Sequence, residues 1–397
     1  MKKHAGILTA LFAAIVIWAA YMYSEQPRPI GMAFPLLGPA SFNVPHRELP
    51  QRERQPIGRM IHPERMILSE AHVDDHSPDV LAYAHGTLTT AGKFFIGMAS
   101  KAGNPYPPNE LVVFGDPSRL DRYLLISLPH AGDVETMVRD PLHDKVYFNL
   151  SANHSLELYA MDIGRYAIAP ILSTTTVDVG RKPAITTDGT YIYGITDTDP
   201  STVFKVDIAS GTLMTSIRGH IPDGHSAAIG TSGSTTELYF GGGMSDGFEK
   251  ADAATLAPIT KTDLGPCSMS DDMPYQGIDG QGGYVYVGCE SVPEGRRIAT
   301  HDLSVERFSL PGNSLGLFLY GPDIYNVAQD GLIDIFHGRD LRDLERYRIL
   351  DASSTPMRSK GQSVEPNELF MDDSGRLYFT AWWGVPGLYR ISTSTML

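Results

Sequence analysis

His220-Ile221-Pro222-Asp223-Gly224-His225 places two histidines in one short loop-like stretch, and Tyr275 falls in the corresponding stretch one repeat later. An imidazole and a phenol are the groups that an elimination on a glycan or a lactone requires. One takes the departing proton and the other supplies a proton to the leaving oxygen. Other polar loop stretches carry His130 and Asp133, Asn153 and His154, Asp246, Glu365 and Asn367, and the pair Trp382-Trp383. Carboxylate and amide oxygens such as Glu365, Asn367, Asn153 and Asp246 are the donors a hard divalent cation takes, calcium above all. Paired tryptophans are common anchors for a protein or glycan partner, with burial between two repeats as the alternative. Loop residues are also polar simply because water touches them. His130, Asp133, His154, His225, Tyr275, Glu365, Asn367 and Trp383 are therefore predicted as binding residues. None is assigned as a catalyst or a metal ligand.

Several chemistries are excluded by absence of their motifs. The chain has no Gly-x-Ser-x-Gly, no phosphate-cradling glycine loop, no His-Glu-x-x-His and no Cys-x-x-Cys. A formal net charge of -14 argues against nucleic acid as a partner, because phosphate binding needs clustered Lys and Arg. A hydrophobic content of 42% is enough for a substantial core.

These loops need elements to hold them, and the sequence repeats them. Phe94-Phe95-Ile96, Val146-Tyr147-Phe148, Ile192-Tyr193-Gly194, Leu238-Tyr239-Phe240, Val285-Tyr286-Val287, Ile324-Tyr325-Asn326 and Leu377-Tyr378-Phe379 recur roughly 40 to 53 residues apart, the period of a four-stranded propeller blade. Turn signals precede most copies, as in Asp188-Gly189 and Ser374-Gly375. The recurrent aromatic is expected to pack between adjacent repeats. The last repeat ends after its third strand, Leu388 to Ile391, and the strand-like segment Met60 to Leu68 is expected to supply the missing outer strand. The fold predicted is all-β: a seven-bladed β-propeller closed by an N-terminal strand. Loops leading into each inner strand, and loops between second and third strands, then share one face. Cys267 falls in the loop entering the fifth repeat, and Cys289 ends the strand that begins with Tyr284, at the same face. They are expected to pair as a disulfide in an oxidising compartment, with two free thiols as the alternative.

Tyr191-Ile192-Tyr193-Gly194 after Asp188-Gly189, followed by Val203-Phe204-Lys205-Val206-Asp207, resembles the YVTN-type propeller repeat. Glu365-Pro366-Asn367-Glu368-Leu369-Phe370-Met371-Asp372-Asp373-Ser374-Gly375-Arg376-Leu377-Tyr378-Phe379 resembles the NHL and lactonase-type blade. The resemblance covers roughly residues 59 to 391 as architecture, that of the quinoprotein amine dehydrogenase-like propellers. It names no functional family, and no haem or quinone machinery is visible. It implies two enzyme alternatives at the channel mouth. One is a lactonase-type hydrolase with a cation held by Glu, Asn and Asp. The other is a polysaccharide lyase using His and Tyr. Outside these alternatives no cofactor is predicted.

Ahead of the repeats, Lys2 and Lys3 precede an uncharged run from Ala5 to Tyr23. As a helix this run spans about 28 Å, close to a bilayer core. Tyr21-Met22-Tyr23-Ser24 is a poor cleavage site, so residues 1–24 read as an uncleaved signal anchor, with a cleaved signal peptide as the alternative. Residues 25–58 form a Pro-rich linker, and residues 59–397 the propeller. The reading in sum is a single-pass inner-membrane protein whose propeller lies in the periplasm or outside the cell. Its role is to bind or scaffold an envelope protein or glycan, and the enzyme alternatives stand beside that role.

Overall fold

The computed structural model describes residues 60–77, 80–88, 95–101, 110–116, 119–151, 154–180, 183–232, 235–242, 247–267, 278–279, 283–328, 332–350, 358–359, 362–363, 366–371, 376–381 and 387–391. Among the described residues every regular element is a strand. None is a helix long and apolar enough to cross a membrane. The predicted anchor and Pro-rich linker lie outside the described residues.

The strands form antiparallel four-stranded units that follow one another in sequence order. Units one to seven run from Val80 to Ser127, Asp133 to Asp178, Ala184 to Arg218, Gly224 to Asp263, Ile278 to Ser309, Ser314 to Leu350 and Pro366 to Ile391. Unit three shows the plan: Ala184–Thr187, Tyr191–Ile195, Ser201–Asp207 and Leu213–Arg218, paired in that order. Its first hairpin turns at Asp188-Gly189, where Gly189 has φ +83°. That left-handed geometry suits a residue without a Cβ. First strands of successive units lie side by side from one to five, and again from six through seven back to one. Between five and six the contact runs from the second strand of five, Tyr284–Gly288, to the first of six, Ser314–Tyr320. The architecture is propeller-like.

The recurrent tyrosines explain how the units adhere. Tyr147, Tyr193, Tyr239, Tyr286 and Tyr378 are at most 2% exposed. Each points at the next unit. Tyr147 clusters with Ile185 and Val206, Tyr193 with Ala227, Tyr239 with Val285, Tyr286 with Leu317, and Tyr378 with Val112 and Phe114. The last contact joins unit seven to unit one.

Unit seven contributes only three strands of its own: Pro366–Met371, Leu377–Ala381 and Gly387–Ile391. The N-terminal chain supplies the fourth, but not through the segment the sequence suggests. β1 (Met60–Ile61) runs parallel to the outer strand of unit five, Met60 opposite Arg307. β2 (Arg65–Ser77) then lies parallel to the outer strand of unit six from Arg65 to His72. Only its end, Val73 to Ser77, pairs antiparallel with Gly387–Ile391 and completes unit seven. The apolar run Met66-Ile67-Leu68 carries the visible strand signal, yet it forms a fifth strand on unit six. The closing stretch Val73-Asp74-Asp75-His76-Ser77 is polar and gives no such signal. Asp75 and His76 lie in this closing strand, opposite Arg390 and Tyr389. Ala71, fully buried beside Tyr347 and Tyr389, fixes the crossing from unit six to unit seven.

Candidate functional site

The loops before first strands and between second and third strands gather at one end of the units. His154, with φ 59°, sits between the second and third strands of unit two. Its Nδ1 donates to Gly180 O at 2.8 Å, and its carbonyl accepts from Val179 N at 2.8 Å. Gly180 precedes unit three and bridges to Asp197 in the second-to-third-strand loop of that unit. A Cβ at Gly180 would stand 1.8 Å from Asp197 O, and its φ is +68°. Glycine is thus required there for close approach and for conformation alike. Asp197 Oδ1 lies 2.8 Å from His225 Nε2 at the start of unit four. Both side chains are largely buried, 15% and 5% exposed. His154, Gly180, Asp197 and His225 therefore form one connected chain across units two, three and four.

His130, in the loop entering unit two, belongs to a second cluster. Its Nε2 lies 2.8 Å from Glu157 Oε2, its Nδ1 3.0 Å from Ala131 O, and the Tyr159 hydroxyl 3.4 Å from Nε2. Ser155 Oγ donates to the other Glu157 oxygen at 2.8 Å. Both ring nitrogens face acceptors, which favours the doubly protonated imidazolium. The backbone acceptor Ala131 O, with Glu157 behind it, holds the His130 pKa above the usual histidine value against partial burial. Burial pushes Glu157 upward, but the bonds from Ser155, His130 and Tyr159 outweigh it and leave the carboxyl low. Burial beside that carboxylate raises the Tyr159 phenol.

His220 completes the face. Its Nε2 lies 2.8 Å from Glu249 Oε2, and Arg218 Nε lies 2.6 Å from Glu249 Oε1. Arg218 is 3% exposed and Glu249 wholly buried. Burial holds the Glu249 carboxyl above the usual range despite Arg218. In unit five, Cys267 and Cys289 form a disulfide, with S–S 2.04 Å and Cα–Cα 4.8 Å. It ties the loop entering the unit to the end of its second strand. Both cysteines are fully buried, packed with Val285, Val287 and Phe248.

The structure thus gathers His154 and His225 into one chain, and places His130 in a neighbouring cluster. Asp133 begins the first strand of unit two, opposite Ser151. Asn367 lies in the first strand of unit seven. Tyr275, Glu365, Trp383, Trp382, Asn153 and Asp246 lie outside the described residues. Among the described residues no group of three or more His, Cys, Asp or Glu could hold a metal ion. Glu157, Glu249 and Arg218 are the residues that sequence reasoning missed. Each lies within or at the end of a strand, where a lone charge in an alternating pattern reads as a solvated position. As an arrangement, the face is a set of preorganised loops: each of these histidines already has a protein acceptor.

No family model matches the chain, and no curated protein matches it. Among solved structures, a chain from one titled "Crystal Structure of Mitotic Checkpoint Complex" is similar at a TM-score of 0.59 and 12% identity. The match covers 92% of this chain and 99% of that one. At that identity the likeness extends to the all-β, propeller-like fold and to nothing else.

Proposed function

We propose that this chain is a seven-bladed propeller, closed by Val73–Ser77, that acts as a binding or scaffold module at the outer side of a membrane. The N-terminal segment Ala5–Tyr23 tethers it there. One observation carries the reading: His130, His154, His220 and His225 are all engaged by protein acceptors. Loops fixed by such internal bonds suit recognition by shape. The buried disulfide is in keeping with an oxidising compartment, the periplasm or the cell exterior. The partner class is an envelope protein or glycan.

Photo-crosslinking in intact cells tests this. A crosslinker at exposed Glu290-side positions of the loop face, such as Ser291, should yield one discrete adduct, while Ser210 at the opposite end yields none. Equal labelling from both ends would defeat the proposal. A second reading, a glycan lyase, is favoured by the approach of His130 Nε2 to Tyr159 OH. It requires Nε2 to leave Glu157 when substrate arrives. Release of unsaturated uronate absorbance from acidic glycans, abolished in His130→Ala, would replace the binding reading with this one.

A further inference from the structure

At the junction of units two and three, two side chains hold the two backbone groups of one residue. His154 Nδ1 donates to Gly180 O at 2.8 Å, and Asp178 Oδ1 accepts from Gly180 N at 2.9 Å. A carbonyl only accepts, so a proton sits on Nδ1, and Nε2 of the neutral ring is a bare lone pair. Asp178 keeps its second oxygen, Oδ2, in the same way. Among the described residues nothing bonds His154 Nε2 or Asp178 Oδ2, and both residues are exposed. They are neighbours at the loop face: Asp178 lies opposite Ser155, the residue after His154.

The two acceptors are held in place by the backbone around them. His154 has a left-handed φ of 59°, uncommon for a residue with a Cβ, and Val179 N donates to its carbonyl at 2.8 Å. Gly180 is fixed in turn by its bridge to Asp197. Acceptors fixed before binding lower the ordering cost when a ligand arrives. Two acceptors side by side call for a ligand that brings donors, and adjacent hydroxyls on a sugar ring do so, one to the carboxylate oxygen and one to the imidazole nitrogen. An anionic group on the ligand is disfavoured beside Asp178. A metal cation is not matched, since among the described residues no group of three or more His, Cys, Asp or Glu could hold one. A protein partner needs large apolar anchors. Among the described residues the exposed ones lie elsewhere, on outer strands as Met66, Ile217 and Ile259 do, or at the opposite end of the units as Leu142 and Tyr320 do.

We infer that His154 Nε2 and Asp178 Oδ2 accept hydrogen bonds from neighbouring hydroxyls of a neutral glycan. The inference rests on the loop-face binding reading above and narrows its partner from an envelope protein or glycan to a sugar without acidic groups at this point of contact. It needs neither the proposed membrane anchor nor any step of chemistry.

Two measurements on the full chain in detergent test it. The first is retention on an array of neutral and acidic oligosaccharides, where neutral members should hold the wild-type chain. In Asp178→Asn the side-chain oxygen still accepts from Gly180 N, so an amide donor takes the place of Oδ2. Affinity for the retained sugar should fall at least about tenfold, the loss of one charged hydrogen bond, with the thermal midpoint unchanged. The second needs no substitution: in the ¹⁵N-histidine-labelled chain, adding the retained oligosaccharide should shift the Nε2 signal of His154 and leave its Nδ1 protonated. A sugar held equally by Asp178→Asn, or one that leaves the Nε2 signal unmoved, would overturn the inference while the binding reading stands. An array on which no neutral member holds the chain would overturn it too. A discrete protein adduct from Ser291 then preserves the binding reading, and the lack of both ends that reading as well.

Discussion

At the scale of single residues, the loop face is built from buried or half-buried charge pairs. Arg218 and Glu249 show the cost of disturbing one. Arg218→Ala strands a carboxylate that is wholly inside the protein. Breaking a buried pair in this way costs about 3–5 kcal/mol. His220 on the other Glu249 oxygen places the expected loss near the lower bound, read as a shift in the denaturant midpoint at constant slope. His130 offers a pH signature. Its folded pKa is raised, so its contribution to stability is complete below the unfolded value of about 6.5 and disappears as pH rises through the folded value. The stability gap between wild type and His130→Asn should therefore narrow above neutrality, and Glu157→Gln should lower the His130 titration midpoint by NMR. A gap constant from pH 5 to 9 would contradict the Glu157 contact. His130, His154 and His225 were legible because histidines in turn-rich stretches stand out. Their partners were not. Gly180 O is backbone and has no residue signature, while Glu157 and Glu249 sit in strands where only tertiary packing reveals burial.

At the scale of strands, a device recurs that the tyrosine repeat only half discloses. Lys205, Lys250 and Arg297 stand directly opposite Tyr193, Tyr239 and Tyr286 on the neighbouring strand. Each reaches a carbonyl in the third-to-fourth-strand turn of the next unit. Lys205 Nζ donates to Ala253 O at 3.0 Å, Lys250 Nζ to Thr300 O at 2.7 Å, and Arg297 NH1 to Arg339 O at 2.9 Å. Lys205 also lies 3.9 Å from the Tyr191 ring centroid, and Arg297 4.8 Å from that of Tyr284. The cation thus links units three to four, four to five and five to six, while Ala160 and Ile335 hold the equivalent places in units two and six. Lys205→Met keeps the aliphatic packing and loses the clamp. It should lower stability by about 2–4 kcal/mol, the sum of one cation–π contact and one charged hydrogen bond. Adding Lys250→Met should cost more, about 3–5 kcal/mol, because Lys250 also pairs with largely buried Glu237 at 2.8 Å. The turns themselves were readable from Asp188-Gly189 and its counterparts. The clamp was not, because its acceptor is a carbonyl some fifty residues away.

At the scale of the molecule, closure of the ring is the property that the sequence made visible in kind but not in register. A repeat lacking its last strand needs one from elsewhere, and the N-terminal chain is the available source. The polar stretch that does the closing hid behind the apolar run just before it. Geometry explains the choice: Ala71 enters the cluster of Tyr347, Tyr389 and Ile391, so the chain must cross to unit seven immediately afterwards. The aromatic pair Phe379 and Tyr389, stacked at 4.9 Å, lies beneath the same seam. A chain beginning at Met60 retains both β1 and β2 and should unfold in one cooperative step. A chain beginning at Val80 leaves the strand Gly387–Ile391 as a bare edge and removes Ala71 from the core between units six and seven. Lost apolar burial and an unpaired ladder then act together at one seam. The expected result is an early transition confined to units six, seven and one, ahead of the main transition, in urea melts followed by circular dichroism and by hydrogen exchange. Supplying residues 60–79 as a peptide should raise the early midpoint toward that of the intact chain. A Val80 chain with a single transition at the wild-type midpoint would mean that Tyr378 against Val112 and Phe114 closes the ring without the strand.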